Sequence, residues 1–234
     1  MAELVEETPR TKSIVLERDG WPGHRAGQHV DVRLTGEDGY QAQRSYSIAS
    51  APEDENLVLT VERLDDGEVS PYLVDELRPG DSLELRGPIG GYFVWDAAQA
   101  DPVLLVAGGS GVVPLMAMAR HRARAGSRVP MRLLVSSRGP EEIIYRAELD
   151  GLAAARDGFE VIHTLTRRQP DGWTGYARRI DDAMLEEVLG PLGREARCYA
   201  CGPTALIEVV ANSLVRLGLP PDRIRTERFG PTGT

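Results

Sequence analysis

Pro102-Val103-Leu104-Leu105-Val106-Ala107-Gly108-Gly109-Ser110-Gly111-Val112-Val113-Pro114 decides how the chain is read. Six residues without a charge are followed at once by a glycine cluster and then by an apolar stretch, 113–125, that has helical spacing and is closed by Gly126. An uninterrupted apolar strand of that length is buried on both faces, which is the environment of a parallel sheet. A glycine turn between such a strand and a helix lets backbone N–H groups approach an anion at the helix N-terminus. The spacing is not Gly-x-Gly-x-x-Gly, because Pro114 stands where a later glycine would be. A tight strand–helix turn with no ligand is the plain alternative.

Downstream the rhythm repeats. Strands are expected over 131–136, 159–166, 197–201 and near 224–229, with helices over 141–154, 181–189 and 204–217, the last stopped by Gly218 and Pro220. Such alternation predicts a doubly wound parallel sheet. Upstream the period is two: short alternating or β-branched runs at 13–17, 28–34, 43–49, 57–63 and 82–86 are separated by turn clusters such as Asp19-Gly20-Trp21-Pro22-Gly23 and Gly36-Glu37-Asp38-Gly39. This half predicts a small antiparallel barrel or sandwich. One helix is expected in it over 71–77, with Ser70 as N-cap and Pro71 at the first helical position. The chain therefore divides into 1–98, all β, and 99–234, α/β, with the boundary near 95–101.

Composition agrees. The chain has 234 residues, 41% hydrophobic and 27% charged, which is ordinary for a soluble globular protein. No apolar run approaches the roughly 18 residues of a membrane span, and the polar, acidic start is not a signal peptide, so a cytoplasmic location is expected. A net charge of −9 argues against a nucleic-acid surface. Any phosphate must be held by local arginines and backbone N–H groups; only Lys12 of the 27 basic residues is lysine, as a GC-rich coding bias also produces. The two cysteines form Cys198-x-x-Cys201 on an expected strand, where i and i+3 point to opposite faces. No second ligand pair accompanies them, so neither a metal site nor an iron–sulfur cluster is expected.

Chemistry concentrates in a few places. Arg44 and Tyr46 of Arg44-Ser45-Tyr46-Ser47 share one face of a strand, pairing a phosphate grip with a flat stacking surface. Gly67-Glu68-Val69-Ser70 opens the expected helix, and Arg63 ends the strand before it, which together suit an anion. An exposed arginine, a packed tyrosine and a structural cap would read the same way singly.

Together these stretches resemble the flavin-binding signatures of the ferredoxin–NADP reductase family, which includes oxygenase reductases and flavohaemoglobins. The Gly108-Gly109-x-Gly111-x-x-Pro114 loop, Cys201-Gly202-Pro203 and Glu227-x-Phe229-Gly230-Pro231 extend the likeness over nearly the whole chain. The resemblance implies a six-stranded FAD barrel followed by an NAD(P) domain, with FAD preferred over FMN. It implies that Arg44 binds flavin phosphates, Tyr46 stacks on the ring, Ser45 and Ser47 line it, and Arg63, Gly67, Val69 and Ser70 cradle the phosphate end. Gly108, Gly109, Gly111, Cys201, Gly202 and Pro203 would hold the coenzyme, Phe229 would lie beside the flavin, and Ser47, Cys201 and Glu227 would be catalytic. For Glu227 a salt bridge to Arg225 or Arg228 is an equal account.

The coenzyme's 2′ position has its own signal. The strand after the glycine loop ends Ser136-Ser137-Arg138 with no acid, and Arg167 and Arg168 end the next. Hydroxyls and cations suit the phosphate of NADPH better than the free ribose of NADH, unless Glu141 and Glu142 pair with Arg138 instead. The expected activity is hydride transfer from NADPH to FAD, then single electrons to a separate acceptor, a ferredoxin or an oxygenase component. A reductase releasing free reduced flavin and a non-catalytic flavin subunit stay open. An arginine face from Arg120, Arg122 and Arg124 could dock an acidic acceptor, or could simply complement a helix C-terminus.

Overall fold

The computed structural model describes residues 1, 3–17 and 20–230. Asp19 of the first expected turn and Pro231 of the terminal motif lie outside the described residues. Antiparallel strands β1 (Glu3–Thr8), β2 (Thr11–Leu16), β3 (His29–Thr35), β4 (Gln41–Ser47), β5 (Leu57–Glu62) and β6 (Glu84–Ile89) form two three-stranded sheets, ordered β1-β2-β5 and β4-β3-β6. An Ile48–Leu59 bridge joins them into a barrel-like unit around Ile14, Val30, Val32, Ile48, Leu57 and Leu59, all at most 2% exposed. Five of these strands match expectation within two or three residues. The first, β1, was read only as a polar start: it is an edge strand whose side chains are largely exposed, so its sequence, Glu-Leu-Val-Glu-Glu-Thr, lacks a clean apolar face.

The helix expected over 71–77 is present as a short, irregular one over 70–76. Residues Tyr72–Glu76 form one π-helical turn, and the Ser70 hydroxyl does not cap it. Ser70 Oγ instead accepts the Leu64 N–H at 3.0 Å, closing the preceding loop.

In the second half, β7 (Val103–Gly108), β8 (Met131–Ser137), β9 (Phe159–Leu165), β10 (Arg197–Pro203) and β11 (Ile224–Phe229) form one parallel sheet in the order β11-β10-β7-β8-β9. Helices α1 (Val112–Arg124) and α2 (Arg146–Ala154) cover one face, and α3 (Asp182–Leu189) and α4 (Thr204–Arg216) the other. The Asp181 carboxylate caps α3 by accepting the Met184 N–H at 2.8 Å. The helix expected over 141–154 begins only at Arg146, because Ile143, Ile144 and Tyr145 leave the helical path to enter the core. Strand order reverses at β7, whose neighbours are β8 and β10. The carboxyl ends of β7 and β10 therefore form the crevice where open α/β sheets take ligands.

The halves are bonded together. Tyr199 on β10 donates to Val94 O at 3.1 Å, Arg225 Nη1 donates to Tyr92 O at 2.7 Å, and Phe93 packs edge-on against Tyr199. The row Arg120, Arg122 and Arg124, open in the sequence between an acceptor face and a complement to the helix C-terminus, is paired. Arg120 donates to Ala49 O and pairs with Glu148, Arg122 is buried against Asp157 and Val129 O, and Arg124 pairs with Asp54. Arg120 and Arg122 are thereby fastened into the structure, whereas the Arg124 side chain stays exposed beside Asp54.

Candidate functional site

A cleft of about 470 Å³ opens between the barrel and the carboxyl ends of β10 and β11. From β4 it receives Ser45, Tyr46 and Ser47; from the other half Cys201, Glu227 and Phe229. Those six expected residues meet at one place although they span 185 positions of the chain, from 45 to 229. Register explains it: Cys201 lies opposite Glu227 and Pro203 opposite Phe229 along the β10–β11 pair, so one edge presents both segments.

Tyr46 is half-buried, and burial pushes its phenol up to about 12, with Arg44 opposing the shift. The ring therefore stays neutral. Burial also pushes the Cys201 thiol up, with Glu227 adding to it, so Cys201 is an uncharged wall and not a nucleophile. Desolvation lifts the Glu227 carboxyl from the ordinary 4.5 to about 7. It makes no salt bridge with Arg225 or Arg228 among the described residues; Arg225 is engaged by Tyr92 O and Val94 O. Cys198 is buried on the opposite face of β10 from Cys201, as an i, i+3 strand pair requires, and no metal-binding cluster occurs among the described residues.

The glycines act differently from the expectation of open backbone. A Cβ on Gly111 would lie 2.0 Å from the Cys201 carbonyl oxygen, and one on Gly108 would lie 2.3 Å from Leu206 Cδ2. Gly202 packs less tightly on the backbone of Gly108, its Cβ position 3.1 Å from Gly108 N. These three glycines let the loops after β7 and β10 interlock at the switch point. Gly109, at φ +54°, is the one whose surroundings are open, with only Glu62 of the barrel 3.9 Å from its Cβ position. Beside this cradle the buried Thr204 Oγ1 at the start of α4 has no partner among the described residues, as a polar ligand there would explain.

The expected phosphate groups flank the cleft without lining it. Arg44 is paired with Glu68, which also accepts from the Tyr40 hydroxyl at 2.8 Å. Arg63 pairs with Asp65 and Asp75, Gly67 closes a turn onto Leu64 O at 3.0 Å, and the Val69 side chain is buried in the barrel core. On the far side, Arg138, Arg167 and Arg168 do come together: the backbone N–H groups of Arg167 and Arg168 both donate to Arg138 O at 2.9 Å. Ser136 and Ser137 end the adjacent strand. Arg138 Nε bonds Glu142 Oε2 at 2.5 Å and Arg168 pairs with Glu141. Arg167 makes no ion pair among the described residues.

His29, Thr60, Glu62, Leu64, Ser110 and Val113 also line the cleft and were not singled out from sequence. Two had a signal. Thr60 and Glu62 are the polar alternates of Leu59 and Val61 in β5, hence one face of that strand. His29 faces Ser47 across the β3–β4 pair, which only register reveals.

Residues 13–94 match the oxidoreductase FAD-binding domain and residues 105–212 the oxidoreductase NAD-binding domain. The chain is 36% identical to the glycine betaine monooxygenase reductase subunit of Pseudomonas aeruginosa, over 89% of this chain and 57% of that protein. It is 37% identical to ferredoxin–NADP reductase B of Sorangium cellulosum, over 87% of this chain and 84% of that one. The FAD/NAD-binding domain of nitric oxide dioxygenase from Vibrio cholerae superposes with a TM-score of 0.80 at 26% identity, covering 98% of this chain and 96% of that one. The chain belongs to the ferredoxin–NADP reductase family. It spans little more than half the length of the monooxygenase reductase subunits it matches. No helix among the described residues is long and apolar enough to cross a membrane.

Proposed function

We propose that the chain is an FAD-dependent NAD(P)H oxidoreductase that takes a hydride from NADPH and passes electrons singly to a separate redox protein, a ferredoxin or an oxygenase component. Residues 1–98 would form the flavin unit and 99–234 the coenzyme unit. The observation that carries the reading is the convergence of Tyr46 and Ser47 with Cys201, Glu227 and Phe229 in one cleft at the sheet's switch point. When bound, FAD supplies the chemistry that links a two-electron donor to one-electron acceptors.

The chain's own residues supply position and charge. The neutral Tyr46 ring offers a flat face from the barrel, and Phe229, 39% exposed, covers the opposite approach. Arg44 would exchange Glu68 for a flavin phosphate, and Ser45 and Ser47 orient the ring edge. The Gly108–Gly111 and Cys201–Pro203 loops hold a pyrophosphate and nicotinamide end, with Thr204 Oγ1 as a waiting polar group. Cys201 excludes water from the centre, and Glu227 holds a proton at its carboxyl near neutral pH. Arg167, and Arg138 and Arg168 on giving up Glu142 and Glu141, would favour NADPH over NADH by meeting its extra phosphate. Free, buried thiols agree with a cytoplasmic, reducing setting.

Anaerobic mixing of the FAD-loaded protein with NADPH or NADH tests the reading. Rapid bleaching of the flavin, faster with NADPH and with flavin retained on gel filtration, is expected. A yellow protein that neither coenzyme bleaches would be a non-catalytic flavin carrier, and flavin lost on filtration would mark a reductase releasing its product.

A further inference from the structure

Behind the cleft, one tyrosine bridges the two halves. Tyr145, between β8 and α2, is 3% exposed and has φ 60°, left-handed backbone that a bulky aromatic adopts only when its surroundings hold it there. Its hydroxyl donates to Thr60 Oγ1 in the barrel at 2.5 Å. Thr60 Oγ1 lies 2.8 Å from Ser13 Oγ, and Ser13 donates to Glu7 Oε1 at 2.6 Å. A carboxylate only accepts, so every hydroxyl in the chain has one direction: Tyr145 to Thr60 to Ser13 to Glu7. Burial pushes the Tyr145 phenol well above its usual range, which keeps it a donor at any working pH.

The Arg120 guanidinium sits 4.8 Å from the centre of the same ring. Arg120 Nη1 donates to Ala49 O at 2.7 Å, while Glu148 holds its Nε and Nη2 at 2.9 and 2.6 Å. Two points of the barrel are thereby gripped. Thr60 lines the cleft, and Ala49 follows Ser47 by two residues; the Ile48–Leu59 bridge ties the two points together. On the other side, Arg120 belongs to the helix that leaves the glycine loop, and Tyr145 to the connection that starts at Arg138. An ordinary core tyrosine would place its hydroxyl within its own half on relaxed backbone.

We propose that Tyr145 is a positioning residue, an interdomain latch that, through Thr60 and with Arg120, fixes how the coenzyme half meets the Tyr46–Ser47 edge of the barrel. Its kinetic consequence rests on the hydride-transfer reading above; the latch itself does not.

Two arms keep these apart. In the first, amide hydrogen exchange is compared between wild type and Tyr145→Phe, which keeps the ring and leaves Thr60 its Ser13 partner. Exchange at residues 48–51, where Ala49 N–H donates to Val58 O, should rise about fivefold although these residues lie in the other half. Unchanged exchange there overturns the latch. In the second, Tyr145→Phe and Thr60→Val in the FAD-loaded protein should each slow bleaching by saturating NADPH about tenfold. The double variant should be no slower than the slower single one, Thr60→Ser should keep the wild-type rate, and NADP⁺ affinity should stay within twofold. Additive losses, a wild-type rate in Tyr145→Phe, or an affinity loss equal to the rate loss overturns it. If wild type is not bleached at all, the hydride-transfer reading fails and the exchange arm alone decides.

Discussion

The centre of the cleft and its two rims are built on different principles. At the centre, Cys201 and Ser47 are uncharged, Glu227 is held near neutrality by burial, and backbone is locked against backbone through Gly108, Gly111 and Gly202. At the rims stand arginines, and most already have a carboxylate: Arg44 has Glu68, Arg63 has Asp65 and Asp75, Arg138 has Glu142, and Arg168 has Glu141. The centre sets geometry, and a sub-ångström error there is costly because packed backbone cannot yield. On the proposed function the rims would set affinity by exchange, since a phosphate would have to displace an exposed carboxylate whose own pairing is worth little. Centre substitutions should therefore change rate or fold, and rim substitutions should change binding.

The largest effect is expected from Gly111→Ala. Its Cβ would stand 2.0 Å from the Cys201 carbonyl oxygen, so the interlocked loops must separate. A loss of about 3 kcal/mol in urea unfolding is expected; wild-type stability would show that the two loops slide freely. Ser47→Ala should slow flavin bleaching about thirtyfold while FAD stays bound, a loss confined to the transition state. Unchanged bleaching in stopped-flow removes Ser47 from the centre.

At the rim, Arg138→Ala should raise the Kd for NADPH about tenfold, or about 1.4 kcal/mol, and leave that for NADH nearly unchanged. Equal losses with both coenzymes would show that Arg138 does not read the extra phosphate. Glu227→Gln should act through pH. The folded protein holds a proton on Glu227 between the ordinary 4.5 and about 7 that the unfolded chain releases, so stability falls as pH rises through that window. The cleft partly solvates the carboxyl, so about 1 kcal/mol is expected, and the Gln variant should lack that fall. The smallest effect belongs to Glu142→Gln, which frees Arg138 and should tighten NADPH binding about twofold. Titrations across pH and with both coenzymes check the last three.

The α/β half was legible because β7 is apolar on both faces and its helix ends are marked chemically, as where Asp181 caps α3; β11 falls on Ile224–Phe229 as expected. The edge strand β1 was not, since half-exposed strands carry no continuous pattern. Ser70 was misread because a serine before a proline looks the same whether it caps a helix or closes a loop. At the site, motif residues were found where the chain itself is distinctive. His29 was not, because it becomes part of the cleft only through the β3–β4 register. Glu142 as a partner of Arg138 is legible four residues on, whereas Glu68, 24 residues from Arg44, comes from tertiary structure. Arg120 teaches the same lesson: from a helical row of cations that the sequence leaves open between a docking face and a helix C-terminus, it reaches across to the barrel.

A crystal structure of the protein grown with FAD and NADP⁺ tests the central claim most directly. The account places the isoalloxazine ring against Tyr46 and Ser47, with its other side toward Cys201, Glu227 and Phe229. Density for the ring outside that cleft, or a protein that takes up no flavin, would contradict it.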